Sequence, residues 1–143
     1  MRVIIDASVL VSAFRTDELS HLDSVAFIKS AIAQERILCA PTILFPEIMS
    51  AFARPMRNAH LATQVVTQIR ELLLIELFPI DIPLALAAET AAQKLFLRGA
   101  DSIYAALASR LSEPLVTLDK EMLARPPQGT MSYTPGGWLE KFA

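Results

Sequence analysis

The chain has 143 residues, 53% of them hydrophobic, with a formal net charge of −2 and a mean hydropathy of +0.42. That length suits one domain burying about two-thirds of its unfolded surface, and the apolar excess means either an Ala- and Leu-rich core or apolar surface covered by another subunit, the second being the preferred reading. The near-balanced charge excludes a global basic field for nucleic acid, so a polyanion would need local cations or bound metal.

In chain order, the first strand candidate is Arg2–Ile5, a β-branched run that ends on Asp6. Asp6 also interrupts the apolar run after Arg2 before a signal-peptide core can form, which sets the expectation of a cytoplasmic protein. No later segment approaches the roughly 18 apolar residues of a membrane helix. A helical period through Val25, Phe27, Ile28 and Ile32 follows, with Ser20 and Asp23 as possible caps. Ile37–Ala40 is the second strand and contains Cys39, the only cysteine. A lone cysteine excludes an internal disulfide framework, fits a reducing compartment, and reads here as a small buried hydrophobe.

After Pro41-Thr42 a helix runs through Ile43, Leu44, Ile48, Met49 and Phe52 to a stop at Arg54-Pro55. The next spans Asn58 to about Leu74, with Leu61, Val65, Val66, Ile69 and Leu72 at helical spacing. Ile75–Phe78 is a strand. Asp81 caps a helix from Pro83 to Leu97 that Gly99 closes, and a further helix opens near Asp101 with Ile103, Ala106, Leu107 and Leu111 on its buried face. Strands at Leu115–Leu118 and Met131–Tyr133 complete the set. Pro126-Pro127 and Pro135-Gly136-Gly137 read as turns, and Trp138 and Phe142 anchor the end of the chain on the body.

Strands separated by helices predict an α/β protein, a three-layer α/β/α arrangement around a mainly parallel sheet, as a single domain over 1–143. In such a sheet, ligands bind at the carboxyl ends of the strands. Two acids stand there: Asp6 after the first strand and Asp119 after Leu115–Leu118. Glu47 lies on or beside the apolar stripe of its helix, and Asp101 opens a helix that stays almost uncharged to Ser109. Each of Asp6, Asp101 and Asp119 reads equally well as an N-cap, and Glu47 as a solvent-facing residue at the stripe edge. A capping aspartate also keeps one oxygen free for a ligand. His21 and His60 read as surface residues.

Taken together, Val3-Ile4-Ile5-Asp6-Ala7-Ser8, Pro46-Glu47-Ile48, the Arg98–Ala108 segment around Asp101, and Leu115-Val116-Thr117-Leu118-Asp119 resemble the PIN-domain nucleases. The similarity is greatest to the VapC-type toxins, the ribonuclease halves of toxin–antitoxin pairs, and it extends over essentially the whole chain. The resemblance implies Mg²⁺- or Mn²⁺-dependent cleavage of RNA. It makes Asp6 and Asp101 the first metal ligands, Asp119 the next, and Glu47 a ligand or water-orienting group. Ser8 and Thr117 would hydrogen-bond those carboxylates, or their hydroxyls would bond local backbone instead. It also implies a homodimer and a small VapB-type antitoxin as partner, with Ile43–Phe52 and Leu61–Leu72 as the places to look for exposed apolar surface. Arg98, Arg110, Lys120 and Arg125 are the cations nearest the acids in sequence, available for a substrate backbone.

Other readings are weaker. A haloacid-dehalogenase-type phosphatase needs a second aspartate where Ser8 stands, and a response-regulator receiver needs paired acids before its first helix. The non-enzymatic alternative is a PIN-fold interaction module that holds a partner without cutting RNA.

Overall fold

The structure is a computed structural model describing residues 1–143. Five strands and eight helices follow one another as β1 (Arg2–Ile5), α1 (Ala7–Ala13), α2 (His21–Ala33), β2 (Ile37–Pro41), α3 (Leu44–Met56), α4 (Ala59–Leu72), β3 (Ile75–Phe78), α5 (Ile82–Leu95), α6 (Gly99–Leu111), β4 (Leu115–Val116), α7 (Lys120–Ala124), β5 (Ser132–Tyr133) and α8 (Pro135–Phe142). The strands form one sheet in the order β3-β2-β1-β4-β5, and every pairing is parallel. The three-layer α/β/α arrangement expected from the alternating pattern is therefore the observed one.

The central strand is β1, with Val3, Ile4 and Ile5 buried. From β1 the chain steps outward through β2 to β3, then returns to pair β4 on the opposite edge of β1. Right-handed crossovers put α1–α4 on one face of such a sheet and α5–α6 on the other. The packing agrees: α1 contacts α2 and α3, α3 contacts α4, and α6 lies on β1, β2 and β4 with α5 outside it. Because strand order reverses at β1, a crevice opens where the carboxyl ends of β1 and β4 diverge.

Local chemistry sets most boundaries. Asn58 caps α4 and Asp81 caps α5, each accepting a backbone N–H three residues on. The third helix outruns its expected stop at Arg54-Pro55 and ends at Met56. Pro55 has no N–H to give Ala51 O, and Arg15 Nη2 supplies the missing donor at 2.7 Å. Likewise α5 does not run on to Gly99. It ends at Leu95 with Phe96 in the left-handed region (φ 53°), and Gly99 is the first residue of α6 rather than a helix stop.

The tail is more regular than its Pro-Gly-Gly pattern suggests. Pro135 occupies the first turn of α8, where its missing N–H costs nothing, and Thr134 Oγ1 accepts the Gly137 N–H at 3.0 Å. Trp138 is buried and meets Phe27 edge-on with ring centroids 5.0 Å apart, so the tail does anchor on the body. Cys39 is buried in β2 and its thiol is pushed up to about 12, chiefly by burial and then by the Glu76 carboxylate. It is the inert small hydrophobe the sequence suggests.

Surface apolar groups do not lie where expected on α3. There Leu44, Phe45, Ile48 and Phe52 are core. They do lie at the end of α4 and beyond, where Leu72 and Leu74 join Ile32 and Ile37 to line a groove of about 590 Å³. No helix is long and apolar enough to cross a membrane.

Candidate functional site

Four elements deliver one carboxylate each to the crevice between β1 and β4. Asp6, Glu47, Asp101 and Asp119 line one pocket of about 170 Å³, together with Ala7, Ser8, Arg98 and Tyr104. The four acids picked out from sequence thus border a single cavity, although they are spread from residue 6 to residue 119.

Asp6 is the most buried of them. It caps α1, where Oδ1 accepts the Ser8 N–H at 2.6 Å and the Ser8 hydroxyl, and Oδ2 accepts the Thr117 hydroxyl. A carboxylate has about four acceptor sites, so one on Oδ2 stays free. Ser8 Oγ also accepts the Leu118 N–H at 3.1 Å, and Thr117 Oγ1 accepts the Asp119 N–H at 3.0 Å. Both alternatives for these hydroxyls hold at once: they bond the carboxylate and the backbone, stitching the end of β1 to the segment after β4.

Asp119 divides its two oxygens. Oδ1 caps α7 by accepting the Glu121 and Met122 N–H groups at 2.9 and 3.0 Å, while Oδ2 accepts Arg98 Nη2 at 3.1 Å. Asp101 is not a cap, since Arg98 holds the N-cap position of α6. Its Oδ2 instead accepts Arg98 Nε at 3.1 Å. One guanidinium therefore spans two carboxylates, from a side chain that is itself 73% exposed.

Glu47 projects from the first turn of α3 and is half-buried. The hydroxyl of Tyr104, a fully buried residue three positions after Asp101 on α6, donates to Glu47 Oε1 at 2.6 Å. Tyr104 escaped the sequence reading because a tyrosine at helical spacing looks like core. Its spacing from Asp101 is the signal that places both on one face.

The electrostatics follow from crowding. Burial raises the pKa of Asp6, Glu47 and Asp101 above the ordinary carboxylate range. Mutual repulsion adds to it, Asp101 acting on Asp6, Asp6 and Asp101 on Glu47, and Asp119 on Asp101. The Tyr104 phenol is pushed far up by its own burial and by Glu47, so it remains a donor. A group of like charges with raised pKa values is short of cations. Arg98 is the stand-in, and an all-oxygen donor set without histidine or cysteine fits a hard divalent ion such as Mg²⁺ or Mn²⁺.

The tightest carboxylate triad is a different subset: Asp101, Asp119 and Glu121, whose nearest oxygens all lie within 4.8 Å of one another. Glu121 was missed from the sequence. The run Thr117-x-Asp119-x-Glu121 was its only trace, and a Glu in the first turn of a helix is commonplace. Of the other cations near the acids, Arg110 pairs with Asp81 at 3.9 Å, Arg125 with Glu121 at 3.2 Å, and Lys120 is exposed. His60 is exposed, while His21 Nδ1 sits 2.9 Å from Ser12 O and ties α2 to α1.

Comparison with known proteins gives a consistent picture. A family model described as the PIN domain matches residues 3–127. No curated protein matches the chain by sequence. Among solved structures, VapBC2 from Rickettsia felis, bound to a DNA fragment from its promoter, superposes with a TM-score of 0.71 at 12% identity, over 94% of this chain and 98% of that one. VapBC-1 from nontypeable Haemophilus influenzae gives 0.69 at 14% identity, over 94% and 98%. VapC20 from Mycobacterium tuberculosis, a sarcin-ricin loop cleaving toxin, gives 0.65 at 14% identity, over 90% and 98%. At these identities the superpositions speak for the fold.

Proposed function

Because this chain belongs to the PIN-domain family, we propose that its acidic pocket is the active centre of a divalent-metal-dependent endoribonuclease, the toxin of a type II toxin–antitoxin pair. The observation that carries the reading is the convergence of Asp6, Glu47, Asp101 and Asp119 from four elements on one cavity, with Arg98 as its single cation. The similarity of fold to a toxin that cleaves the sarcin-ricin loop supports RNA as the substrate.

Asp6 and Asp101 would hold the ion directly or through water, with Asp119 beside them and Glu47 as a further ligand or an orienter of water. A bound Mg²⁺ or Mn²⁺ supplies charge neutralisation at the phosphate and a lowered pKa for an attacking water. The chain's own contribution is positional. Ser8 and Thr117 fix both oxygens of Asp6, Tyr104 fixes Glu47, and the cap of α7 fixes Asp119. Arg98, held between Asp101 and Asp119 by one hydrogen-bonded ion pair to each, could turn its exposed guanidinium to a substrate phosphate once a metal ion takes over those carboxylates.

The partner proposed is a small VapB-type antitoxin, supported by the likeness to VapBC structures. The homodimer proposed finds support in the exposed leucines and isoleucines around Leu72 and Leu74.

The test is a cleavage assay on single-stranded RNA with Mn²⁺, comparing wild type with Asp101→Asn, alongside melting of both proteins in EDTA. Cleavage should fall to background in the variant, with the metal-free melting temperature unchanged or raised, because one of several repelling charges has gone. Retained cleavage, or a clear drop in melting temperature, would refute the role given to Asp101.

A further inference from the structure

We propose that Arg54 and Arg57, at the end of α3, form a subsite for the phosphates that flank the scissile bond of a single-stranded RNA. This deepens the nuclease reading and rests on it. Glu47 belongs to two cavities at once: the acidic pocket, and a groove of about 530 Å³ lined by Ser50, Ala51, Arg54, Pro55 and Arg57. The two are therefore neighbours that meet at the Glu47 side chain. Glu47, Ser50, Ala51 and Arg54 stand at helical positions i, i+3, i+4 and i+7, one face of α3, which puts Arg54 about 10 Å along the axis from Glu47.

Charge distinguishes this groove from an ordinary solvated face. The chain as a whole is slightly acidic, yet from Ile48 to Arg70 it contains no Asp or Glu and carries Arg54, Arg57 and Arg70. Arg110 and Arg125 are tied up in ion pairs, and Arg98 lies between two carboxylates. Arg54 and Arg57 are exposed, and neither guanidinium has a salt bridge or hydrogen bond. Their backbone is held by the graft of Arg15 onto Ala51 O, so the face does not fray where Pro55 would otherwise loosen it. An occupant must place one group over the carboxylates and further anions along the arginines. A polynucleotide meets that demand because its phosphates repeat.

The experiment measures binding of a fluorescent single-stranded RNA by anisotropy across a salt series, in the Asp101→Asn background with Mg²⁺. The test variant combines Arg54→Gln with Arg57→Gly, since glycine accepts the left-handed backbone at Arg57 (φ 51°). Lys29→Gln with Lys94→Gln, both exposed and away from the groove, is the control. The arginine variant should bind at least about ten-fold more weakly, and its slope of log affinity against log salt should fall by about 1.4, roughly 0.7 for each phosphate that no longer meets a guanidinium. An unchanged slope, or an equal loss in the lysine control, overturns the subsite. So does a poly-glutamate peptide that competes as well as RNA of equal charge. Cleavage by the wild type with no slope change would sink the subsite alone, whereas a slope change without any cleavage by the wild type would sink the nuclease reading and, with it, the placement of these phosphates beside a scissile bond.

Discussion

The hydroxyl of Tyr104 has no solvent to turn to, and the nearest acceptor is Glu47 Oε1 at 2.6 Å. A charge-assisted bond of that kind is worth about 1.5–3 kcal/mol, and here it also fixes which way a half-buried carboxylate faces. Tyr104→Phe should therefore weaken Mn²⁺ binding by about ten-fold or more, as loss of an outer partner typically does. Calorimetric titration of Tyr104→Phe, Glu47→Gln and the double variant checks this. If Tyr104 acts through Glu47, its effect vanishes in the Glu47→Gln background, whereas additive losses would reduce it to a packing residue. At this scale the sequence announced Asp6 and Asp119 because each ends an apolar run, although β4 itself stops at Val116 and Asp119 caps the helix beyond it. Glu47 and Asp101 showed as acids at the edge of apolar helices. Tyr104 and Glu121 gave no such contrast, since an aromatic among alanines and an acid in a first turn are what ordinary helices contain.

Helix ends obey a different chemistry from helix faces. Three helices, α3, α5 and α6, terminate on non-glycine residues in the left-handed region: Arg57, Phe96 and Ser112, with φ near 51–53°. An L-residue there costs about 1–2 kcal/mol. Ser112 is exposed and its side chain makes no hydrogen bond, so Ser112→Gly should recover about 0.5–1 kcal/mol after the greater freedom of an unfolded glycine is deducted. Urea unfolding would show it as a higher midpoint at constant slope, and an unchanged or lower midpoint would contradict it. These ends were illegible because the usual glycine signal is absent, and it misled at Gly99. The helices with one wet face, α2 to α5, were readable from their period, and α6, though sandwiched between the sheet and α5, from the spacing of Ile103, Ala106, Leu107 and Leu111. By contrast α1 is buried from Val9 to Ala13 and shows no period, α7 is five residues long, and α8 hides behind Pro-Gly-Gly.

For the molecule as a whole, the sheet order is what no local pattern encodes. Strand identity follows from β-branched runs, but the placement of β4 beside β1 depends on pairings such as Ile4 with Leu115, more than a hundred residues apart. That pairing creates the crevice and brings repelling carboxylates together, so the metal-free fold carries a load that a bound cation would relieve. Saturating Mn²⁺, at about a hundred times its dissociation constant, should stabilise the wild type by about 2.7 kcal/mol and raise its melting temperature by roughly 5–10 °C. Scanning calorimetry with and without EDTA tests this, and an unmoved transition in millimolar Mn²⁺ would argue against an ion at these acids.

The bond from Thr117 to Asp6 closes a loop of more than a hundred residues. During synthesis, the amino-terminal half of the pocket leaves the ribosome carrying Asp6 and Glu47 with nothing opposite them. Its remaining half, including the residue that fixes Asp6 and the arm that bears Asp119, is translated last. A chain interrupted anywhere before β4 thus lacks the Thr117 and Asp119 side of the pocket, and the four carboxylates share a cavity only once that last segment has joined β1.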